Sequence, residues 1–225
     1  MPAAVVPVKS LAAGKSRLAA ALGRARAGAL ALAMLEDLLA ALARVPGLDA
    51  IAVVTPDAGV AEAAERAGAR ALRGDDPGLD AAIARAAREL GPVCADGLLV
   101  VLGDVAGARP GELARLLEAL AAGPAPRAAL AASLDGGTAA LARRPPDAFP
   151  SCFGPDSARR HREAAARAGV PLVELALPSL ALDLDDEADL RAFLAGPGDG
   201  PRTRALLTSF GLAPGTAPRA GARTP

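Results

Sequence analysis

Tryptophan and tyrosine are absent from the chain, and phenylalanine occurs only at Phe149, Phe153, Phe193 and Phe210. So thin a supply of flat side chains excludes a base-stacking platform for single-stranded nucleic acid. Charge of one sign is lacking too, because 25 Lys and Arg residues are matched by 25 Asp and Glu. The chain therefore has no broad electrostatic footprint for a nucleic acid partner. Cysteine is scarce: Cys94 and Cys152 lie far apart and form no CxxC pair, which reads as free thiols in a reducing cytoplasm. The lone histidine, His161, has no usual zinc spacing to either cysteine and is expected to be solvated or to cap a helix. Apolar runs are broken by Arg, Asp and Pro well short of membrane-spanning length. The amino terminus opens on a strand pattern rather than on a basic segment followed by an apolar core. The expectation is a cytoplasmic protein with no membrane or nucleic acid partner; a homodimer stays open.

What is present is hydrocarbon, with 52% of the 225 residues hydrophobic, enough for one sizeable α/β core. Residues 1–212 read as that domain, and the Pro, Gly and Arg content from Ala213 onward reads as a disordered tail. Strands are expected at Ala4 to Val8, Ala50 to Thr55, near Ala71-Leu72, and at Gly97 to Asp104. Helical patterns fall between them. A long one carries Leu35, Leu38, Leu39 and Leu42 on one face and stops at Pro46-Gly47, and others cover about Gly59 to Ala67, Ala81 to Leu90 and from Pro110. Strand and helix alternate, which argues a single-domain, mostly parallel, Rossmann-like sheet with helices on both faces. The second half adds a strand at Arg127 to Ser133, a turn at Asp135 to Thr138 and an antiparallel return at Ala139 to Ala142. A helix then runs from Ser157 to about Ala168, followed by strands at Leu172 to Leu177 and Leu180 to Asp185 and helices from Asp186 and near Thr203 to Phe210.

The stretch that organises this pattern is Val5-Val6-Pro7-Val8-Lys9-Ser10-Leu11-Ala12-Ala13-Gly14-Lys15-Ser16-Arg17-Leu18. An apolar run ends at Lys9, and a Gly-containing turn then delivers Lys15 and Arg17. Cations at the carboxyl end of a buried strand suit a polyphosphate. Gly14-Lys15-Ser16 is not a Walker A loop, because Lys9 stands where that motif needs its first glycine. Asp183 and Asp185 are two apart on an expected strand, which puts both carboxylates on one face about 6.5 Å apart. At that separation they repel by roughly 3 kcal/mol at an effective dielectric near 20, so a cation belongs between them. Asp104 at the end of the central strand would complete an oxygen-rich nest suited to magnesium. The plainer alternative is that Asp185 with Asp186 caps the next helix and Asp104 caps a turn. Gly136-Gly137-Thr138 and the run Gly154 to Ser157 before a helix are candidate anion sites, or else a hairpin turn and an ordinary cap.

These residues carry a resemblance. Val8-Lys9, Gly14-Lys15-Ser16-Arg17-Leu18, Ala31-Leu32-Ala33-Met34-Leu35-Glu36-Asp37, Val54-Thr55-Pro56-Asp57, Gly103-Asp104, Phe153-Gly154-Pro155-Asp156-Ser157-Ala158-Arg159-Arg160-His161 and Leu182-Asp183-Leu184-Asp185 are similar, in order, to one family. It is the 2-phospho-L-lactate/phosphoenolpyruvate guanylyltransferases of deazaflavin (coenzyme F-420) biosynthesis, of nucleotide-diphospho-sugar transferase-like fold. The resemblance implies that a phosphate oxygen of a small phosphorylated carboxylic acid attacks the α-phosphorus of GTP and releases pyrophosphate. It implies magnesium on Asp104, Asp183 and Asp185, and the acid on Lys9, Thr138, Gly154 and Ser157. Lys15 and Arg17 would face the triphosphate, and Thr55, Asp57, Gly78 and Asp80 the nucleoside. Lys9, Lys15, Arg17 and Asp104 are the expected catalytic set.

Three departures from the family pattern bear on this. Val105-Ala106-Gly107 follows the central Asp where Leu-Pro is usual, Asp135-Gly136-Gly137-Thr138 replaces a Gly-Thr-Gly-Thr turn, and Asp80 stands where Asn is usual. The rivals are another nucleotidyltransferase of this fold, making a sugar nucleotide or a molybdopterin dinucleotide, and a non-catalytic nucleotide-binding protein.

Overall fold

The computed structural model describes residues 2–11, 15–76 and 78–214. Ala12 to Gly14 of the basic turn, and the expected tail from 215 onward, lie outside the described residues. Seven strands form one sheet: β1 (Ala3–Pro7), β2 (Ala50–Thr55), β3 (Arg70–Arg73), β4 (Leu98–Val101), β5 (Arg127–Ala132), β6 (Thr138–Arg144) and β7 (Leu172–Glu174). Their order across the sheet is β3-β2-β1-β4-β6-β5-β7. β1, β2, β3 and β4 pair in parallel, β6 runs antiparallel to both β4 and β5, and β7 returns parallel to β5. This is the expected parallel sheet with an antiparallel extension. After β1 the chain steps outward to β2 and β3, then jumps back to β4 on the other side of β1, which makes the β1/β4 boundary the topological switch point where such sheets bind ligands.

The helices are α1 (Ser16–Leu22), α2 (Arg24–Leu42), α3 (Ala58–Arg66), α4 (Leu79–Leu90), α5 (Pro110–Ala121), α6 (Ser157–Arg167), α7 (Glu187–Ala195) and α8 (Pro201–Ser209). Alternation along β1 sorts them into layers. Ala4 and Val6 face one core with Leu35, Leu38, Leu39 and Leu42 of α2 and Leu113, Leu116, Leu117 and Leu120 of α5. Ala3 and Val5 face the other, with Ile83, Ala86 and Leu90 of α4 and Ala158, Ala164 and Ala165 of α6. Each fully buried leucine contributes about 2 kcal/mol. A third, smaller cluster joins Leu18 of α1, Leu30 and Met34 of α2, Leu190 and Phe193 of α7, and Leu207 of α8 around Leu184.

Two expectations need correction. The long helical pattern after the basic turn is broken at Gly23, whose φ of 83° ends α1 and reopens the chain as α2. Leu180 to Asp185 is not a strand. β5 already has β6 and β7 at its sides, and the Leu180 to Asp185 segment crosses the strand ends instead, with Leu184 N–H donating to Asp104 O at 3.3 Å and Leu134 N–H to Ala181 O at 2.8 Å. Its apolar-polar alternation is real, but it divides the third cluster from the solvent-filled side rather than the two faces of a sheet.

α8 is held by a buried acid. Asp37, 5% exposed on α2, accepts from Arg202 N–H at 3.1 Å and Thr203 N–H at 2.8 Å, capping the amino end of α8 from a distance in sequence. Asp37→Ala is expected to lower the unfolding free energy by about 2 kcal/mol, because α8 loses its cap and the buried Thr203 amide is orphaned. Urea denaturation measures this, and a loss below about 0.5 kcal/mol would show that packing alone holds α8.

Candidate active site

The carboxyl ends of β1, β2 and β4 and the amino end of the antiparallel β6 open into one cavity of about 430 Å³. Its lining includes Lys9, Ser10, Lys15, Thr55, Arg85, Asp104, Asp135, Thr138, Gly154, Ser157, Asp183 and Asp185. Residues from seven distant segments thus meet at the switch point.

The centre is a charge bridge. Lys15 Nζ lies 2.9 Å from Asp104 Oδ2 and 2.6 Å from Asp185 Oδ1. Burial pulls the Lys15 ammonium downward in pKa, but the charges and hydrogen bonds of Asp104 and Asp185 outweigh it and the net shift is upward. For Asp183, burial, then the charges of Asp104, Asp135 and Asp185, outweigh a backbone hydrogen bond and push the carboxyl up to about 7. The segment between the two carboxylates explains their placement, since Leu184 is fully buried in the third cluster while Asp183 and Asp185 both line the cavity. They share the cavity as expected, though through this buried leucine and not through strand pleating. Asp186, not Asp185, caps α7, in a reciprocal pair with Asp189.

Asp104 Oδ1 is buried with no hydrogen-bond partner, an oxygen placed to meet a cation. Among the described residues, no group of three or more His, Cys, Asp or Glu side chains is arranged as a ready-made metal site. In this structure the shared positive charge on Asp104 and Asp185 is the ammonium of Lys15.

A second wall carries the Thr138 and Ser157 hydroxyls together with the Asp135 carboxylate. Ser133 N–H donates to Gly137 O at 3.0 Å, and Gly136 O accepts from Ala158 N–H at 3.3 Å, which ties the turn before β6 to the first turn of α6. A side chain at Gly137 would displace this arrangement, since a Cβ would stand 2.6 Å from Ser133 Oγ. Asp135 Oδ1 accepts from Gly137 N–H at 2.9 Å and from Ser133 Oγ at 2.6 Å, which aims that turn. Thr138 and Ser157 are each 1% exposed, line the cavity and are 3.0 Å apart between hydroxyl oxygens. Among the described residues the only non-glycine positive φ angles are at Lys15 (53°) and Asp156 (51°), each opening a helix beside the cavity. Left-handed backbone at such residues costs on the order of 1 kcal/mol, and strain of this kind collects at functional sites.

Other expected residues are placed differently. Lys9 is exposed on the cavity wall, whereas Arg17 borders a neighbouring depression with Lys15, Asp135 and Asp185. Thr55 lines the cavity, with its hydroxyl accepting from Asp57 N–H at 3.1 Å. Asp57 does not line the cavity. Its Oδ1 accepts from Gly59 and Val60 N–H to cap α3, and its Oδ2 accepts from Leu11 N–H and the Ser10 hydroxyl, so it fastens the basic turn. Gly78 and Asp80 are also outside the lining; Asp80 Oδ1 takes Phe153 N–H at 3.1 Å and so holds the Phe153 loop rather than a nucleoside. Val105 and Ala106 are buried, Val105 also lines the cavity, and Gly107 O accepts from Asp199 N–H at 3.0 Å, so this departure reaches the ligand space only through Val105.

His161 is neither solvated nor a cap. It is fully buried, between Thr138 Oγ1 at 3.0 Å and Cys152 N at 2.8 Å. Burial, with Arg143 and Arg160 nearby, lowers its pKa to about 4. Sequence reasoning also missed Asp135 and Arg85 as site residues. Asp135 carried a signal, a carboxylate inside the departing turn; Arg85 carried none, since an arginine on an amphipathic helix looks the same whether it meets solvent or, as here, Arg73 O at 2.9 Å.

Comparison with known proteins supplies relatives of the chain and of its fold. The chain is 42% identical over 194 residues to the phosphoenolpyruvate guanylyltransferase of Sphaerobacter thermophilus, covering 86% of this chain and 92% of that relative. It is 40% identical over 203 residues to the enzyme of the same name from Rubrobacter xylanophilus, covering 89% and 97%. Among solved structures, a protein assigned as a nucleotide-diphospho-sugar transferase from Desulfovibrio desulfuricans G20 superposes with a TM-score of 0.74 at 20% identity, over 93% of this chain and 95% of that one. A CMP:2-keto-3-deoxy-manno-octonic acid synthetase complexed with CTP gives 0.61 at 17% identity, over 92% and 98%; both likenesses are of fold alone. Residues 2–222 match the family described as guanylyl transferase CofC like, and the chain belongs to that family.

Proposed function

We propose that the chain transfers GMP from GTP to phosphoenolpyruvate or 2-phospho-L-lactate, releasing pyrophosphate, in the making of the deazaflavin coenzyme. The observation that carries this reading is the Lys15 bridge between Asp104 and Asp185, set across one cavity from the neutral pair Thr138 and Ser157. One wall suits a polyphosphate with its counter-charges, and the other suits a small oxyanion.

In the reaction a phosphate oxygen of the acid forms a bond to the α-phosphorus of GTP. The bond from that phosphorus to the oxygen bridging to the β-phosphate breaks, and pyrophosphate leaves with the electron pair. Little covalent chemistry falls to the protein; it orients the two anions and neutralises their charge. Lys9, Thr138, Gly154 and Ser157 hold the acid, Lys15 and Arg17 meet the triphosphate, and Thr55 lies on the nucleoside side. Asp57 and Asp80 support those walls through the backbone rather than by touching ligand. Magnesium would be held by Asp104, Asp183 and Asp185, whose hard oxygens suit it, and the partnerless Asp104 Oδ1 supports that fit. When bound it would supply charge neutralisation between the reacting phosphates.

The chain, incubated with GTP, magnesium and each acid in turn, is expected to release pyrophosphate with phosphoenolpyruvate or 2-phospho-L-lactate. Silence with every three-carbon phospho-acid rejects the reading, and release with another nucleoside triphosphate and a sugar acceptor moves the chain to a different reaction. Asp183→Asn is expected to cut turnover by at least about 100-fold, because it removes a charged ligand from the reacting centre. Its unfolding free energy should fall by less than about 1 kcal/mol, since the substitution also relieves like-charge repulsion. Unchanged turnover in that variant would reject the assignment of Asp183.

A further inference from the structure

His161 is the only histidine of the chain, and it stands behind the Thr138 wall of the cavity. Its Nε2 faces Cys152 N at 2.8 Å. A backbone amide can only donate, so Nε2 holds the lone pair, and the proton of the neutral ring is on Nδ1. The ring is kept neutral by burial and by the cations Arg143 and Arg160. A charged ring would also turn an Nε2–H against the Cys152 N–H. Phe153 closes the remaining side, edge-on to the imidazole at 4.8 Å between centroids.

Nδ1–H therefore donates to Thr138 Oγ1 at 3.0 Å. Ser157 Oγ donates to the same oxygen, also at 3.0 Å. A hydroxyl oxygen has two lone pairs, and both are now filled. The Thr138 hydrogen must go elsewhere, and Thr138 lines the cavity. When the Thr138 and Ser157 hydroxyls exchange roles, the spare hydrogen is that of Ser157, which also lines the cavity. In either arrangement the pair turns one hydrogen toward the ligand space and so welcomes a carboxylate or phosphoryl oxygen there.

We infer that His161 is a positioning residue that, through its Nδ1–H, fills one acceptor site of the Thr138–Ser157 hydroxyl pair, so that the pair turns a hydrogen to the cavity and selects an oxyanion at that subsite. The inference rests on the reading that the phosphorylated acid sits at Thr138, Gly154 and Ser157. If His161 were only a core staple between β6 and the Cys152 loop, losing either of its hydrogen bonds would have the same effect on ligand binding. The two bonds can be removed separately. An Asn side chain keeps an N–H near the Nδ1 position and loses the acceptor for Cys152, whereas Gln keeps an acceptor near the Nε2 position and loses the donor to Thr138.

The first measurement is imidazole 15N NMR of the whole chain at pH 7, in which a single histidine gives an unambiguous pair of signals. The expected result is a protonated Nδ1 and a bare Nε2; the opposite tautomer or an imidazolium overturns the inference. The second is the dissociation constant of phosphoenolpyruvate in magnesium-containing buffer, read by titration calorimetry and needing no turnover. His161→Gln is expected to weaken binding about tenfold or more, as for a lost hydrogen bond to a charged group, and His161→Asn by less than about threefold. In a Thr138→Val background the two variants should bind alike. Equal weakening by Gln and Asn with Thr138 present overturns the inference while leaving the guanylyltransferase reading intact, and absence of phosphoenolpyruvate binding to the unaltered chain overturns it as well. Binding with the expected Gln and Asn pattern but no pyrophosphate release supports the inference and defeats the reaction instead.

Discussion

One ammonium group holds the site together. Lys15 comes from the turn after β1, Asp104 from the end of β4, and Asp185 from the segment before α7, so a single side chain joins three parts of the chain that share no secondary structure. Its own backbone is held in a left-handed conformation to reach them. The arrangement concentrates negative charge within reach of one lysine and leaves Asp183 with its carboxyl pushed up to about 7. A surface pair would contribute little; here the groups are half-buried at a switch point, where attraction and repulsion are both felt strongly.

The acidic residues divide into two kinds by what satisfies them. Asp37, Asp57 and Asp186 spend their oxygens on backbone amides and serve as splints for α8, the basic turn with α3, and α7. Asp104, Asp183 and Asp185 instead line the cavity. The first kind keeps the second in place: Asp57 fixes the turn that presents Lys15, and Asp186 begins the helix that follows Asp185. Asp80, by holding Phe153 N–H, extends the same service to the loop carrying Gly154 and Ser157.

The layers of the fold were legible because continuous apolar runs and leucines at helical spacing report burial directly, as in Leu98 to Val101 and Leu113 to Leu120. The meeting of Lys15, Asp104, Thr138, Ser157, Asp183 and Asp185 was legible through the resemblance and the βα order, which together name the strand ends that converge. Leu180 to Asp185 misled because alternation records which residues are buried, and a segment crossing strand ends alternates as well as one inside a sheet. Asp57 and Asp80 misled because a carboxylate near a site looks the same in sequence whether it meets ligand or amide. His161 misled because its value depends on two partners, Thr138 and Cys152, which only the folded chain brings to either side of the ring.

Leu184 is fully buried in hydrocarbon supplied by α1, α2, α7 and α8, and the two carboxylates of the cavity stand on either side of it. The greasy cluster is thus the foundation on which the charged centre stands. A loosening of α8 on its Asp37 anchor would travel through Phe193 and Leu207 to Leu184 and tilt both acids at once. Damage to the chemistry can therefore start in a helix far along the chain from every polar group of the cavity.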